Sequence, residues 1–377
     1  MYIQFIMKKI PFVDLLAQYN SIKPEIDKAI ENVIAETAFI GGRYVKEFEE
    51  AFASLYGVKH VISCANGTDS LYIIMKMLGI GLGDDVITVA NSWISSSETI
   101  TQVGARPVFV DIDPVYNSMN ENLIEEKITP VTKAIIAVHL QGQMCAINSI
   151  RQICERHNIY LIEDCAQSHL SSLGGIRAGL QGIASSFSFY PGKNLGAYGD
   201  AGCIITNDDE LAKRFRIFAN HGALKKHEHQ IEGINSRLDG LQAAILTAKL
   251  PYLQSWTDAR IKNAGLYDKH LSGIPQLSLP VVRPGSVHTF HLYMIRAERR
   301  DGLMSYLKEQ GVDTAIHYPT ALPNLPAYKY LGHQPGDFPE ATKAQQEILS
   351  LPMYPELTEE QILYVSNCIK QYYQTNI

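Results

Sequence analysis

The stretch that decides the fold is AIIAVHLQGQMCAINSIRQICERHNIYLIEDCAQSH, residues 134–169. It opens on an apolar run of β type (134–140), passes through a segment of helical period, and closes on a second apolar run (160–164). Strand, helix and strand in that order describe a crossover between parallel neighbours. Working outward, HVISCA (60–65), DVITVA (85–90) and PVFVDI (107–112) are further runs of the same kind. From Lys59 to about Asn207 such runs alternate with helical segments, the pattern of a mostly parallel sheet wrapped by helices. The runs are apolar nearly throughout, as strands buried on both faces must be. Ligands of such sheets bind beyond the carboxyl ends of the strands. The polar residues that follow each run are therefore the candidate functional ones.

Beyond this region a long helical stretch runs from Leu238 to about His270 and breaks at Pro251. The texture then changes. TFHLYMIRA (289–297) reads as a strand, DGLMSYLKEQG (301–311) as a helix stopped by Gly311, and TAIHYP (314–319) as a strand. Helices from about Pro339 and Thr358 end the chain. A length of 377 residues suggests two domains. The pattern divides them into a larger α/β domain, residues 1–255, and a smaller C-terminal α/β domain, residues 256–377, with the first 20 residues or so packing on the smaller one.

Composition narrows the class without naming an activity. Hydrophobic residues at 46% and charged residues at 19% exclude a disordered or fibrous chain. The net charge, 33 − 39 = −6, lacks the basic excess of a nucleic-acid binder. No run of ~18 apolar residues marks a membrane span. The opening MYIQFIMKKIPF is too short and wrongly ordered for a signal peptide, because its apolar part precedes its lysines. Met7 stands beside Met1 as a second candidate start. Six cysteines with no CxxC pair read as reduced thiols of a cytoplasmic protein.

Three polar segments follow strand-like runs. Cys64-Ala65-Asn66-Gly67-Thr68-Asp69-Ser70 joins a strand to a helix, so the N–H groups of residues 67–69 lie at a helix N-terminus. That is an anion site suited to phosphate, to which the Thr68 and Ser70 hydroxyls add donors; the plain alternative is a helix cap. Glu163-Asp164-Cys165-Ala166-Gln167-Ser168-His169 ends a buried-type strand in acid. An aspartate there suits a metal, a ribose hydroxyl or a protonated ring nitrogen, or simply caps a helix. Ser185-Ser186-Phe187-Ser188-Phe189-Tyr190-Pro191-Gly192-Lys193-Asn194-Leu195-Gly196 places one lysine before a glycine-rich loop. A desolvated lysine there is a nucleophile for Schiff-base chemistry; a solvated loop lysine is the plain alternative. No metal-ligand set is read from the sequence.

Together the segments go further. A phosphate cradle, a strand-end aspartate and a lysine 193 − 164 = 29 residues later follow the order of pyridoxal-phosphate (PLP) enzymes of the aspartate-aminotransferase fold type, fold type I. NGTDSL, EDCAQSH, SFSFYPGKNLGAYGDAG and GINSRLDGLQAAIL resemble the DegT/DnrJ/EryC1/StrS family of nucleotide-sugar aminotransferases, from about Pro11 to about Tyr372. The resemblance implies that Lys193 carries PLP as a Schiff base and that Asp164 pairs with the pyridinium nitrogen. It places Gln167 near the cofactor's ring and phenolic oxygen, and Gly67, Thr68 and Ser188 on its phosphate. Trp93 takes the place of the aromatic that stacks on the ring, core packing being the alternative. Asn235 reaches the phosphate held by a partner subunit, which implies a homodimer with shared active sites. Arg237 contacts an acidic group of the substrate.

The implied reaction is ping-pong: an amino donor, L-glutamate, aminates the cofactor, which then aminates a nucleotide-linked keto-sugar. One family variant carries histidine at the lysine position and dehydrates its sugar; Lys193 in its PGKNLG context implies transamination. His317 and Tyr318 match a small-domain HYP motif near the sugar, with a strand end as the plain reading. The second histidine that often follows is absent from TALPNLPAY. The lysine segment resembles members that aminate C3 of a dTDP-3-keto-6-deoxyhexose. UDP-3-keto sugars, and C4 amination of a dTDP- or UDP-4-keto-6-deoxy sugar, stay open. Lys225, Lys226, His227 and His229 read as a solvated loop, or as partners of the nucleotide diphosphate. A non-catalytic regulator on the same fold is the competing class. A nicotinamide enzyme is disfavoured, because GIGLG (79–83) follows a helix and precedes a strand.

Overall fold

The computed structural model describes residues 9–375, so the choice between Met1 and Met7 falls outside the described residues. The apolar runs form strands β1 (His60–Cys64), β2 (Asp85–Val89), β3 (Arg106–Val110), β4 (Thr132–Val138) and β5 (Tyr160–Asp164). Two short strands, β6 (Ser172–Leu173) and β7 (Ile176–Arg177), precede β8 (Ala184–Ser188) and β9 (Gly202–Thr206). Seven of these make the central sheet in the order β1-β9-β8-β5-β4-β2-β3. All neighbours are parallel except those of β9, which runs against both β8 and β1. The reversal follows from the connection. β8 and β9 are joined by a loop without a crossover helix, and a loop returns the chain antiparallel.

Helices cover the sheet. Before β1 lie α1 (Leu15–Ser21), α2 (Lys23–Ala35) and α3 (Arg43–Tyr56). Next come α4 (Gly67–Met77), α5 (Ser95–Gln102), α6 (Ile147–His157), α7 (Asp209–Ala219), α8 (Gly240–Lys249) and α9 (Leu253–Leu271). The expected break at Pro251 is a single tight turn, Leu250–Tyr252, between α8 and α9. On α3 the buried residues Tyr44, Phe48, Phe52 and Tyr56 recur every fourth position and make one stripe. Phe48 meets Phe189 at 5.2 Å and Phe52 meets Phe187 at 5.3 Å, both edge to face. Each buried phenylalanine stabilises by roughly 1.5–3 kcal/mol, so this stripe anchors the end of β8 from which the lysine loop departs.

A second hydrophobic core surrounds a three-stranded antiparallel sheet, β10 (Leu277–Ser278), β12 (Tyr293–Ala297) and β13 (Ile348–Leu351). It packs with α9, α10 (Arg300–Glu309) and α12 (Glu359–Thr375). Ile10 belongs to this core: it pairs with Val312, and Lys9 bridges Asp313 at 2.9 Å. The intervening β11 (Ser286–Val287) returns to pair with β6. Residues 321–348 pack on the first core through Leu322, Tyr328 and Phe338. There Asp111, just after β3, accepts the Glu340 and Ala341 N–H groups at 2.9 and 2.8 Å and so caps α11 (Pro339–Glu347).

Two expectations change. TAIHYP is not a strand: only Ala315 pairs, with Ser350 on the free edge of β13, and Pro319 offers no N–H to extend that ladder. In TFHLYMIRA only residues 293–297 are strand. Residues 289–292 are an irregular strap, with Phe290 at φ +43°, that bonds to the turn after β4: Thr289 N–H donates to the Gly142 carbonyl at 2.8 Å and Leu292 N–H to that of Gln141 at 3.2 Å. All six cysteines are unpaired and buried. Among the described residues no helix is long and apolar enough to cross a membrane.

Candidate active site

The carboxyl ends of β5 and β8 set the centre of the site. Asp164 closes β5 and is 7% exposed. Its Oδ1 accepts the Ala166 N–H at 3.1 Å, a local turn and not a helix cap. Burial pushes its carboxyl above the usual range, opposed by that N–H and by the Lys193 charge. Lys193 lies in the loop between β8 and β9. The loop closes on itself, with Lys193 N–H donating to the Tyr190 carbonyl at 2.8 Å and Ala197 N–H to that of Phe189 at 2.7 Å. Lys193 is half-buried as a residue, and desolvation of its ammonium lowers it to about 8 against the opposing pull of Asp164. A solvated loop lysine would show no such fall. Behind it, the fully buried Lys249 of α8 donates to the Gly196 carbonyl at 2.8 Å and to Gln18 Oε1 at 3.1 Å.

The cradle is built from α4, β8 and the start of β9. Asn66 caps α4, its Oδ1 accepting the Asp69 N–H at 2.8 Å. This leaves the Gly67 and Thr68 N–H groups without a helical acceptor. Gly67 packs so close to Ser188 that a side chain at 67 would lie 2.8 Å from the serine Cβ. Gly202 approaches from β9, where a side chain would lie 2.4 Å from the Asn66 carbonyl carbon. Thr68 and Ser95 share a hydroxyl hydrogen bond of 2.6 Å. Ser70 does not join them, contrary to expectation. It is fully buried and bonded to the Gly67 carbonyl and the Ser186 hydroxyl. One turn into the helix, its side chain points down the helix flank.

Gln167 and Tyr318 meet over this floor. Gln141 N–H donates to Gln167 Oε1 at 2.7 Å, which aims the Gln167 amide at the Tyr318 hydroxyl, 2.9 Å away. Trp93 is 58% exposed, which excludes core packing within the chain, and its ring lies 5.6 Å from that of Tyr318. His317 stacks on Phe12 at 5.6 Å and bonds Ser350 Oγ through Nδ1 at 3.0 Å. Burial and the Lys193 charge lower its imidazole to about 4. Tyr318 is held neutral by burial and the nearby Asp164. Lys193, Asp164, Gln167, Tyr318, His317 and Trp93 thus gather in one site, linked by the Lys193–Asp164, Lys193–His317 and Asp164–Tyr318 charge interactions, the Gln167–Tyr318 hydrogen bond and the Trp93–Tyr318 ring contact.

Asn235 and Arg237 do not join it. Both are exposed, with no side-chain hydrogen bond or ion pair among the described residues. Ser236 between them is buried and ties their segment to the cradle, donating to Asp69 Oδ2 at 2.6 Å and accepting the Ala65 N–H at 3.1 Å. The 225–229 run is an exposed loop in which Lys225 pairs with Glu228 and His229 with the His221 carbonyl.

Sequence reasoning passed over several residues. Ser95 bonds Thr68, Gln141 bonds Gln167, and Asn194, next to Lys193, bonds His291; of these only Asn194 carried a signal, as part of the lysine motif. His139, Glu163 and Cys165 gather their ligand-type atoms within 4.8 Å. The Glu163 carboxylate is already saturated by Gly179, Gln181 and Gly182 N–H groups at 2.6–2.8 Å and by His139 Nε2 at 2.9 Å. It clamps the 179–182 turn to β5.

An amine of lowered pKa beside a buried carboxyl and an N-terminal anion cradle suits covalent binding of an aldehyde that carries phosphate and a basic ring. A family model for the DegT/DnrJ/EryC1/StrS aminotransferases matches residues 20–370. The chain is 45% identical to a pleiotropic regulatory protein of Geobacillus stearothermophilus, over 97% of this chain and 99% of that one. It is 42% identical to the dTDP-3-amino-3,6-dideoxy-alpha-D-galactopyranose transaminase of Aneurinibacillus thermoaerophilus, over 96% and 99%. Its fold matches that of S. venezuelae DesV, solved in complex with a ketimine intermediate, with a TM-score of 0.95, 37% identity, and coverage of 97% and 99%.

Proposed function

Since the chain belongs to the DegT/DnrJ/EryC1/StrS family and is a PLP-dependent nucleotide-sugar aminotransferase, we propose that it moves an amino group from L-glutamate to C3 of a dTDP-linked 3-keto-6-deoxyhexose. The observation that carries the residue assignment is the shared pocket of Lys193 and Asp164 beside the Gly67–Ser188 cradle. These residues fit the cofactor. The cradle leaves two backbone N–H groups unused and has no room for a side chain at 67, as close approach of phosphate requires. Burial disfavours the charged form of Asp164, and a protonated ring nitrogen facing it would offset that.

Gly67, Thr68 and Ser188 would hold the phosphate, Lys193 the reactive carbon, Asp164 the ring nitrogen, and Gln167 and Trp93 the ring. When bound, PLP supplies the electron sink for amino-group transfer. The remaining work belongs to the chain. Lys193 Nζ, with its proton loosened to about 8, is both nucleophile and proton carrier near neutral pH. A positive charge facing Asp164 favours its ionised form against the burial that raises it. Tyr318, locked to Gln167, closes the cleft where His317 and Trp93 face an incoming sugar.

We further infer a homodimer in which Asn235 and Arg237 serve the neighbouring cleft. Their exposure, and the Ser236–Asp69 tie that keeps their segment beside the cradle, support this reading. Six unpaired buried thiols support a reducing, cytoplasmic location.

The test is a substrate panel. Pyridoxamine-loaded enzyme is offered dTDP-3-keto, dTDP-4-keto and UDP-3-keto sugars, and return of the visible cofactor band is timed. The dTDP-3-keto sugar should react fastest, by about 10-fold or more, within what one pocket contact discriminates. Reoxidation by 4-keto sugars alone would make the C3 assignment wrong. Lys193→Ala should abolish the band's response to L-glutamate.

A further inference from the structure

The strap at 289–292 touches the site twice. One edge bonds to the turn after β4, through the Gly142 and Gln141 carbonyls. That turn also aims Gln167. The approach is tight: Gly142 has φ +105°, and a side chain on it would lie 2.8 Å from Phe290 N and 2.9 Å from His291 N. The other edge holds Asn194, the residue next to Lys193 and only 3% exposed. Asn194 Nδ2 donates to the Thr289 carbonyl at 3.3 Å, and Asn194 Oδ1 faces His291 Nδ1 at 3.2 Å.

The donors and acceptors here follow by elimination. A carbonyl only accepts, so the Thr289 oxygen fixes which end of the Asn194 amide is nitrogen. The other end is an oxygen and can only accept, so His291 Nδ1 carries hydrogen and Nε2 is left as the lone pair. Burial, with the Lys193 and Arg260 charges nearby, keeps this imidazole neutral.

We propose that His291 is a positioning residue for Lys193, acting through Asn194: its Nδ1–H fixes the lysine loop against the same strap that sets Gln167. One short segment then holds both the amine and the amide at their separation in the site. The inference rests on the proposed role of Lys193 as the cofactor's attachment point.

The test measures attachment of PLP to the cofactor-free chain, followed by the rise of the visible band, with melting temperature alongside. His291→Phe keeps the ring and loses the donor. It should slow attachment about 10-fold, the scale of one lost hydrogen bond, and lower kcat for the glutamate half-reaction more than it raises KM. His291→Asn restores an N–H at the Nδ1 position and should recover the rate to within about threefold. Asn194→Leu breaks the same bond from the loop side and should slow attachment as His291→Phe does, which keeps the test decisive if the histidine variant folds poorly. Attachment within twofold of wild type in either His291→Phe or Asn194→Leu, or no recovery in His291→Asn, overturns the proposal. A wild-type chain that forms no visible band would instead overturn the role of Lys193.

Discussion

Asp164 and Lys193 occupy one pocket, and its dryness moves them in opposite directions: the carboxyl up, the ammonium down to about 8. For the lysine this is a stability statement. In the cofactor-free protein the unfolded chain holds the Lys193 proton up to its ordinary value of 10.5, while the folded chain gives it up from about 8. Between those values the unfolded state binds more protons, so stability rises with pH, and the cost of burial is complete below about 8. Lys249, also lowered to about 8 by burial, adds to the same window. Denaturant melts of Lys193→Met should show a flatter rise between pH 8 and 10.5 than wild type; an unchanged rise would place the lysine in solvent. The histidines act at the other end. His169 is lowered to about 3, both ring nitrogens lack a partner among the described residues, and its ring sits between Phe187 and Phe189. Its contribution is full above 6.5 and is lost as pH falls toward 3. His169→Phe should therefore narrow the gap between melting temperatures at pH 7 and pH 5.

At the scale of elements, Gly67 is where α4 and β8 come closest. Gly67→Ala puts a methyl 2.8 Å from the Ser188 Cβ, so overpacking should cost about 1–3 kcal/mol, read as a lower melting temperature, with a weaker PLP dissociation constant. Both elements were readable in advance. Strands such as β4 read as nearly continuous apolar runs because both faces are covered, β8 reads as the serine-rich run before the lysine loop, and the order of cradle, acid and lysine lies along the chain. What was hidden depends on pairing across distance. The direction of β9 is set by how the chain returns from β8, which no local pattern records. The strap at 289–292 has strand composition, but its hydrogen bonds go to a turn near residue 141. His291 meets Asn194 across 97 residues of sequence. TAIHYP has strand composition too, but only Ala315 pairs with the edge of β13 before Pro319 ends the run.

At the scale of the whole molecule, Asn235 and Arg237 give the proposed dimer a direct test. Lys193→Ala and Asn235→Ala chains, each defective alone, are mixed and allowed to exchange subunits. If Asn235 serves the neighbour, each hybrid dimer holds one site with both defects and one with neither. The mixture should then recover about a quarter of wild-type activity. If both residues serve one chain's own site, no hybrid site is intact and activity stays at the level of the defective parents.

The pairing of Ile10 with Val312 bears on how the protein is made. These residues are 312 − 10 = 302 positions apart. At synthesis rates of roughly 5–20 residues per second, about 15–60 seconds separate their emergence from the ribosome. The central sheet, complete by Thr206, is assembled from chain that emerges well before that. Ile10 therefore waits about 300 residues of synthesis before its own core exists, and the second core closes after the central sheet, around residues made long before it.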